Sequence, residues 1–168
     1  MKLKNNIEVF PEKTRLFKPY ISKKIEPGTL QKVLDSSHQT TYRLYLIANG
    51  IKEIQEFNGI MGCQRYIISN CQTAVNVMEL YALFRLCGWD QDLTSIDIVP
   101  LFETIDDLAA AESIMTTLYA SELYGGHIKA RNKEQTIMLG FSDGTKDGGY
   151  LQANWGIYKA KETLTSVS

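Results

Sequence analysis

Three short apolar runs, Tyr66–Ile68, Ile96–Leu101 and Thr136–Phe141, constrain this chain more than any other feature, because each is followed by a stretch with helical periodicity. Successive strands separated by helices cannot close as hairpins. They pair in parallel through right-handed crossovers, with helices covering the sheet. Runs that are apolar on both faces fit such a covered sheet. The predicted class is α/β with three parallel β–α units. Such units belong either to an open doubly wound sheet or to a segment of a (β/α)8 barrel. A complete barrel takes about 250 residues, and this chain has 168, so a closed one does not fit.

The helices are legible from spacing. The segment Thr73–Cys87 is apolar nearly all round and stops at Gly88, which suits a C′ position, so it should be buried between sheet and outer layer. Thr104-Ile105-Asp106-Asp107 resembles a capping box opening a helix to about Tyr119, and Ser121–Ala130 continues as a further helix. After the third strand a Gly-rich loop should lead into a last helix, about Asp147–Leu164, with Leu151, Trp155, Tyr158 and Ala160 as a stripe. Residues 28–57 carry apolar positions three and four apart, from Leu30 to Ile54. They are expected to be helical, with a break near Ser36–Ser37 or Asn49–Gly50. Residues 1–27, with Pro11, Pro19 and Pro27, read as an extended basic lead-in, leaving 28–168 as one α/β domain with its three units in 65–168.

Charge and cysteine usage exclude several function classes. The net charge of −1 offers no general attraction to nucleic acid or an anionic membrane. Lys2, Lys4, Lys13, Arg15, Lys18, Lys23 and Lys24 make the lead-in basic. Without interleaved aromatic residues or a groove-reading motif, it reads as a solvated segment rather than a polyanion-binding arm. Cys63, Cys71 and Cys87 are odd in number and lack a C-x-x-C pair, which argues against disulfides and zinc. No apolar leader or membrane-length span occurs, so a cytoplasmic setting is the expectation.

In both α/β architectures ligands bind where strands deliver their C-terminal ends. Those ends are Ser69-Asn70-Cys71, Phe102-Glu103-Thr104 and Ser142-Asp143-Gly144-Thr145-Lys146-Asp147. Glu103 and Asp143 thus leave two strands at one rim, and such hard oxygen donors suit Mg²⁺ or Mn²⁺. The alternative is plain: acidic residues after strands often cap helices, and Asp106, Asp107 and Asp147 are placed to do so. Lys146 is either a solvated lysine near a helix start or an anion contact.

Two of these segments carry a family resemblance. Pro100–Leu108 resembles the "PLFET-x-DDL" stretch of phosphoenolpyruvate carboxylases, and Gly140–Gly149 resembles their "GYSDS-x-KDAG" stretch, in order and at family-like separation. Tyr66–Ser69 is similar to the family's "YVIS" strand, and Trp155, Tyr158 and Ala160 to its "W-x-x-Y-x-A" helix, so the likeness runs from about Val33 to the C-terminus. It implies a TIM-type (β/α)8 barrel, of which this chain would form part. It implies a lyase that carboxylates phosphoenolpyruvate with bicarbonate, through carboxyphosphate and the enolate of pyruvate, to oxaloacetate and phosphate. Glu103 and Asp143 would hold the divalent metal, Mg²⁺ or Mn²⁺, and Lys146 would lie near the bound anions. A homo-oligomer, tetrameric in the full-length family, is the implied assembly.

Val75-Asn76 stands where the family has a Ser-Asp pair, and Gly144 and Gly148 replace a serine and an alanine, which suggests a looser loop. The family's catalytic histidine lies upstream of this region and its Phe-His-Gly-Arg-Gly-Gly loop beyond it. His38 and His127 match neither and read as surface or helix residues, so the isolated chain is expected to be inactive. The sequence also allows two rival readings: a receiver-like phosphorylation module, which also sets carboxylates and a lysine around Mg²⁺, and a non-catalytic interaction domain whose acidic residues only cap helices. The receiver wants an acidic pair after its first strand, where this chain has Ser69-Asn70.

Overall fold

The computed structural model describes residues 39–89 and 94–167, with side chains from Leu46 onward. The basic lead-in, the candidate break at Ser36–Ser37 and His38 lie outside the described residues. Helix α1 spans Gln39–Asn58. It runs unbroken through Asn49–Gly50, where a break was expected, and ends at Gly59, whose φ of 77° suits glycine. Strand β1 is Arg65–Ile68, α2 is Ala74–Leu86, β2 is Asp97–Phe102, α3 is Ile105–Ala120 and α4 is Glu122–Ala130. Strand β3 is Met138–Leu139, and α5 covers Ser142–Ser166.

The three strands form one open parallel sheet in the order β1-β2-β3. β1 pairs with Asp97–Pro100, and β3 pairs with Leu101–Phe102 on the other side of β2. Pro100, which has no N–H to give, falls where one ladder ends and the other begins, so a proline in the central strand does little harm.

The core lies between the sheet and α2, α3 and α4, with Val77, Tyr81, Phe84, Ile96, Ile98, Phe102, Met115, Leu118 and Tyr124 buried. As its sequence predicts, α2 is buried along most of its surface, and Gly88 (φ 75°) follows it in the left-handed region. Lys52 of α1 donates to the Cys87 and Gly88 carbonyls at 3.3 and 2.9 Å, supplying a cation to the C-terminal end of α2. Asn76 makes a local capping contact at the start of α2: its Oδ1 accepts from Thr73 N at 3.0 Å.

Several expectations need correction. β1 is not apolar-buried on both faces; Tyr66 and Ile68 pack against the core on one face, while Arg65 and Ile67 on the other are exposed. The third strand forms a ladder over two residues only, not Thr136–Phe141, because it meets only Leu101–Phe102, the last two residues of β2. The Gly-rich run after it is helical from Ser142, not a loop, and the break comes at Gly149 (φ 81°, ψ 167°). Within the expected α5 stripe, Ala160 faces inward with Ala153 and Leu164, while Leu151, Trp155 and Tyr158 are exposed. Small residues make this possible: a methyl group on Gly156 would lie 3.2 Å from Leu108 Cδ1, so α5 seats close on α3 by its slim side. His127 is a helix residue but not a surface one; it is buried edge-on against Tyr81.

Candidate metal centre at the strand ends

The rim is assembled from two loops in direct backbone contact. Gly140 N donates to Phe102 O at 2.8 Å, extending the β2–β3 pairing by one residue past the ladder. A methyl group on Gly140 would lie 3.1 Å from Glu103 Cα, and one on Gly144 would lie 3.5 Å from Glu103 O. One on Gly148 would lie 2.7 Å from Ile105 Cγ1. Glycines at 140, 144 and 148, four residues apart, thus let the segment that follows β3 press onto residues 103–105. The expected looser loop is instead a tightly seated turn, with Gly144 buried.

Glu103 is half-buried and Asp143 exposed, in the first turn of α5. Lys146 pairs with Asp143, Nζ to Oδ1 at 3.1 Å, and both side chains are exposed, so this pair is worth little in stability. Asp107, buried, caps α3 as its sequence suggests: its Oδ2 accepts from Thr104 N at 3.0 Å and from Glu103 N at 3.3 Å, while Thr104 Oγ1 accepts from Asp107 N at 3.1 Å. Asp147 also acts as a cap, but not on its own helix. Its Oδ2 accepts from Ile105 N at 2.9 Å, across 42 residues of chain. Spacing along the sequence carries no signal for that bond.

Behind the rim, Cys71 follows β1 and donates its N–H to Leu101 O at 3.3 Å. Burial pushes its thiol up to about 11, and the charge of Asp107 adds to the effect. At the opposite end of the strands, buried Asp97 faces Arg131 at 3.6 Å and Arg65 at 3.9 Å. This cluster was not anticipated from the sequence. It sits at the end of a parallel sheet where structural rather than ligand-binding groups are expected.

Two carboxylates at adjoining strand ends are a sufficient protein contribution for Mg²⁺ or Mn²⁺, which complete their shells with water and substrate oxygens. Among the described residues no group of three or more His, Cys, Asp or Glu side chains gathers to hold a metal by itself. Glu103 and Asp143 are hard oxygen donors, the chemistry that such a cation takes. No helix among the described residues is long and apolar enough to cross a membrane.

Comparison with known proteins agrees with the motif resemblance. The family model of phosphoenolpyruvate carboxylase matches residues 23–168. The chain is 38% identical over 141 residues, 84% of its length, to a phosphoenolpyruvate carboxylase of Corynebacterium diphtheriae. It is 40% identical over 119 residues, 68% of its length, to that of Nitrosomonas europaea. It is also 40% identical over 118 residues, 67% of its length, to that of Mycobacterium leprae. The matched stretch is 15% of the first relative and 13% of each of the others, so the chain spans a small part of the length of these enzymes. With the family model covering most of its length and both rim motifs in place, this chain belongs to the phosphoenolpyruvate carboxylase family.

Proposed function

We propose that the chain supplies the metal-binding rim of a phosphoenolpyruvate carboxylase, its three β–α units forming part of a TIM-type (β/α)8 barrel within residues 28–168. In that reading the parent enzyme joins bicarbonate to phosphoenolpyruvate and releases oxaloacetate and phosphate. Glu103 and Asp143 hold Mg²⁺ or Mn²⁺, and Lys146 lies beside the bound anions. The observation that carries the reading is the contact of Gly140 and Gly144 with Glu103, which brings the loops bearing the two carboxylates together at the C-terminal rim. A bound divalent cation would offset negative charge on phosphate and enolate oxygens. The protein's share is positional. Asp107 fixes the Glu103 backbone, the α5 turn presents Asp143, and Lys146 holds one oxygen of Asp143 until a cation or an anion displaces it.

Membership of the family, with no acidic pair at the end of β1, leaves the receiver reading without support. The remaining alternative is an interaction domain whose carboxylates only cap, and metal binding separates the two. Electron paramagnetic resonance titration of Mn²⁺ into the purified chain should show one weak site that is lost in Glu103→Gln and in Asp143→Asn. The circular dichroism of both variants should be unchanged. The purified chain should form no oxaloacetate from phosphoenolpyruvate and bicarbonate above a Glu103→Gln control. In the full-length parent, Asp143→Asn should abolish metal-dependent turnover. Mn²⁺ affinity indifferent to both substitutions would overturn the assignment.

A further inference from the structure

We propose that Asp147 is a positioning residue for the metal pair: its carboxylate straps the turn carrying Asp143 and Lys146 to the loop carrying Glu103. The inference rests on the metal reading above and adds to it a residue that touches neither metal nor substrate. Three consecutive N–H groups, of Glu103, Thr104 and Ile105, stand at the start of α3, where no intrahelical acceptor exists. Asp107 takes the first two from within α3, and Asp147 takes the third from α5 at 2.9 Å. Of these bonds, only that of Asp147 joins the two loops.

Asp147 lies one helical turn beyond Asp143, within the short run that begins at Ser142 and is broken at Gly149. That break separates the aim of this turn from the axis of the longer helix beyond it. The glycine contacts supply a close seat but no direction, since van der Waals contact resists sliding weakly. A charge-assisted hydrogen bond to a fixed N–H adds the direction. Partners behind metal ligands typically hold affinity by such means, and losing one weakens metal binding by about 10- to 100-fold.

A competing account is that Asp147 merely adds negative charge near the cation. Substitution separates the two: asparagine keeps an acceptor and discards the charge, glutamate keeps the charge and moves the acceptor by one methylene, and alanine discards both. The purified 168-residue chain and its variants are titrated with Mn²⁺ by electron paramagnetic resonance, and amide exchange at Ile105 is followed by NMR. Asp147→Ala should weaken Mn²⁺ by about tenfold and speed Ile105 exchange. Asp147→Asn should retain most of both properties, and Asp147→Glu should lose affinity despite its charge. Unchanged affinity in Asp147→Ala overturns the proposal. So does an equal loss in Asp147→Asn and Asp147→Ala with Ile105 protection intact, which marks a pure charge effect. Should Asp147→Ala not fold, the ordering of Asp147→Asn above Asp147→Glu decides alone. If wild-type Mn²⁺ binding is indifferent to Glu103→Gln, the metal reading itself has failed. A fault confined to Asp147 leaves that Glu103 dependence intact.

Discussion

Ile105 and Gly148 occupy one space: a methyl group on Gly148 would fall 2.7 Å from Ile105 Cγ1 and 3.1 Å from its Cδ1. The two residues are therefore fitted to each other, and the alanine that the family pattern places at 148 requires Ile105 to shift. Overpacking of this kind costs about 1–3 kcal/mol, offset by up to about 1 kcal/mol because alanine is the better helix former. Gly148→Ala should accordingly lower stability in urea unfolding. In an Ile105→Ala background it should be neutral or stabilising, a coupling of about 1 kcal/mol in a double-mutant cycle. Strict additivity would show that Ile105 moves aside at no cost. The placing of Glu103 and Asp143 just past β2 and β3 is legible from the sequence, because it follows from where the strands end. The partner of Asp147 is not, since the bond joins positions 42 apart and depends on how α5 is seated.

The seven-residue turn Ser142–Gly148 and the helix beyond Gly149 are two elements within one helical span. Gly149, at φ 81° and ψ 167°, sits in a region that only glycine visits without strain. Gly149→Ala should lose about 1–3 kcal/mol although nothing lies within 4 Å of the added methyl group. Thermal unfolding of the variant measures it, and an unchanged midpoint would mean that the kink relaxes. Helices α2, α3 and α4 are legible in the sequence through their capping residues and apolar periodicity. The start of α5 and the length of β3 obey tertiary contacts instead. A run with glycines at 144, 148 and 149 has poor helix propensity, yet its first turn forms because Thr145 closes back on Phe141 O and its small residues fit against Glu103 and Ile105. β3 is shorter than its apolar run because ladder hydrogen bonds need a neighbour, and β3 meets only the last two residues of β2, Leu101 and Phe102.

At the scale of the whole molecule, the strand–helix alternation that defines the sheet was plain in the sequence. Which apolar residues meet solvent was not, because exposure depends on what lies beside an edge strand or an outer helix. What folding does bury includes titratable groups, and these set a pH dependence. Burial pushes the Cys71 and Cys87 thiols up to about 11, with Asp107 adding to the first and Lys52 opposing the second. Burial also raises the Tyr124, Tyr119 and Tyr66 hydroxyls, and the charge of Asp97 adds to the first two. In the unfolded chain, thiols release their protons near pH 8.5 and tyrosines near about 10. Between those values and the raised folded ones, the unfolded state binds fewer protons than the folded state, so stability must fall as pH rises. The contribution is intact at pH 7 and is lost progressively from about pH 8.5 toward 11. Urea midpoints measured from pH 7 to 10 should therefore stay level at first and then decline. A Cys71→Ala, Cys87→Ala double variant should decline less steeply over pH 8.5–10, whatever stability it loses at pH 7. A decline just as steep in that variant would assign the alkaline loss to the tyrosines and remove the thiols from the account.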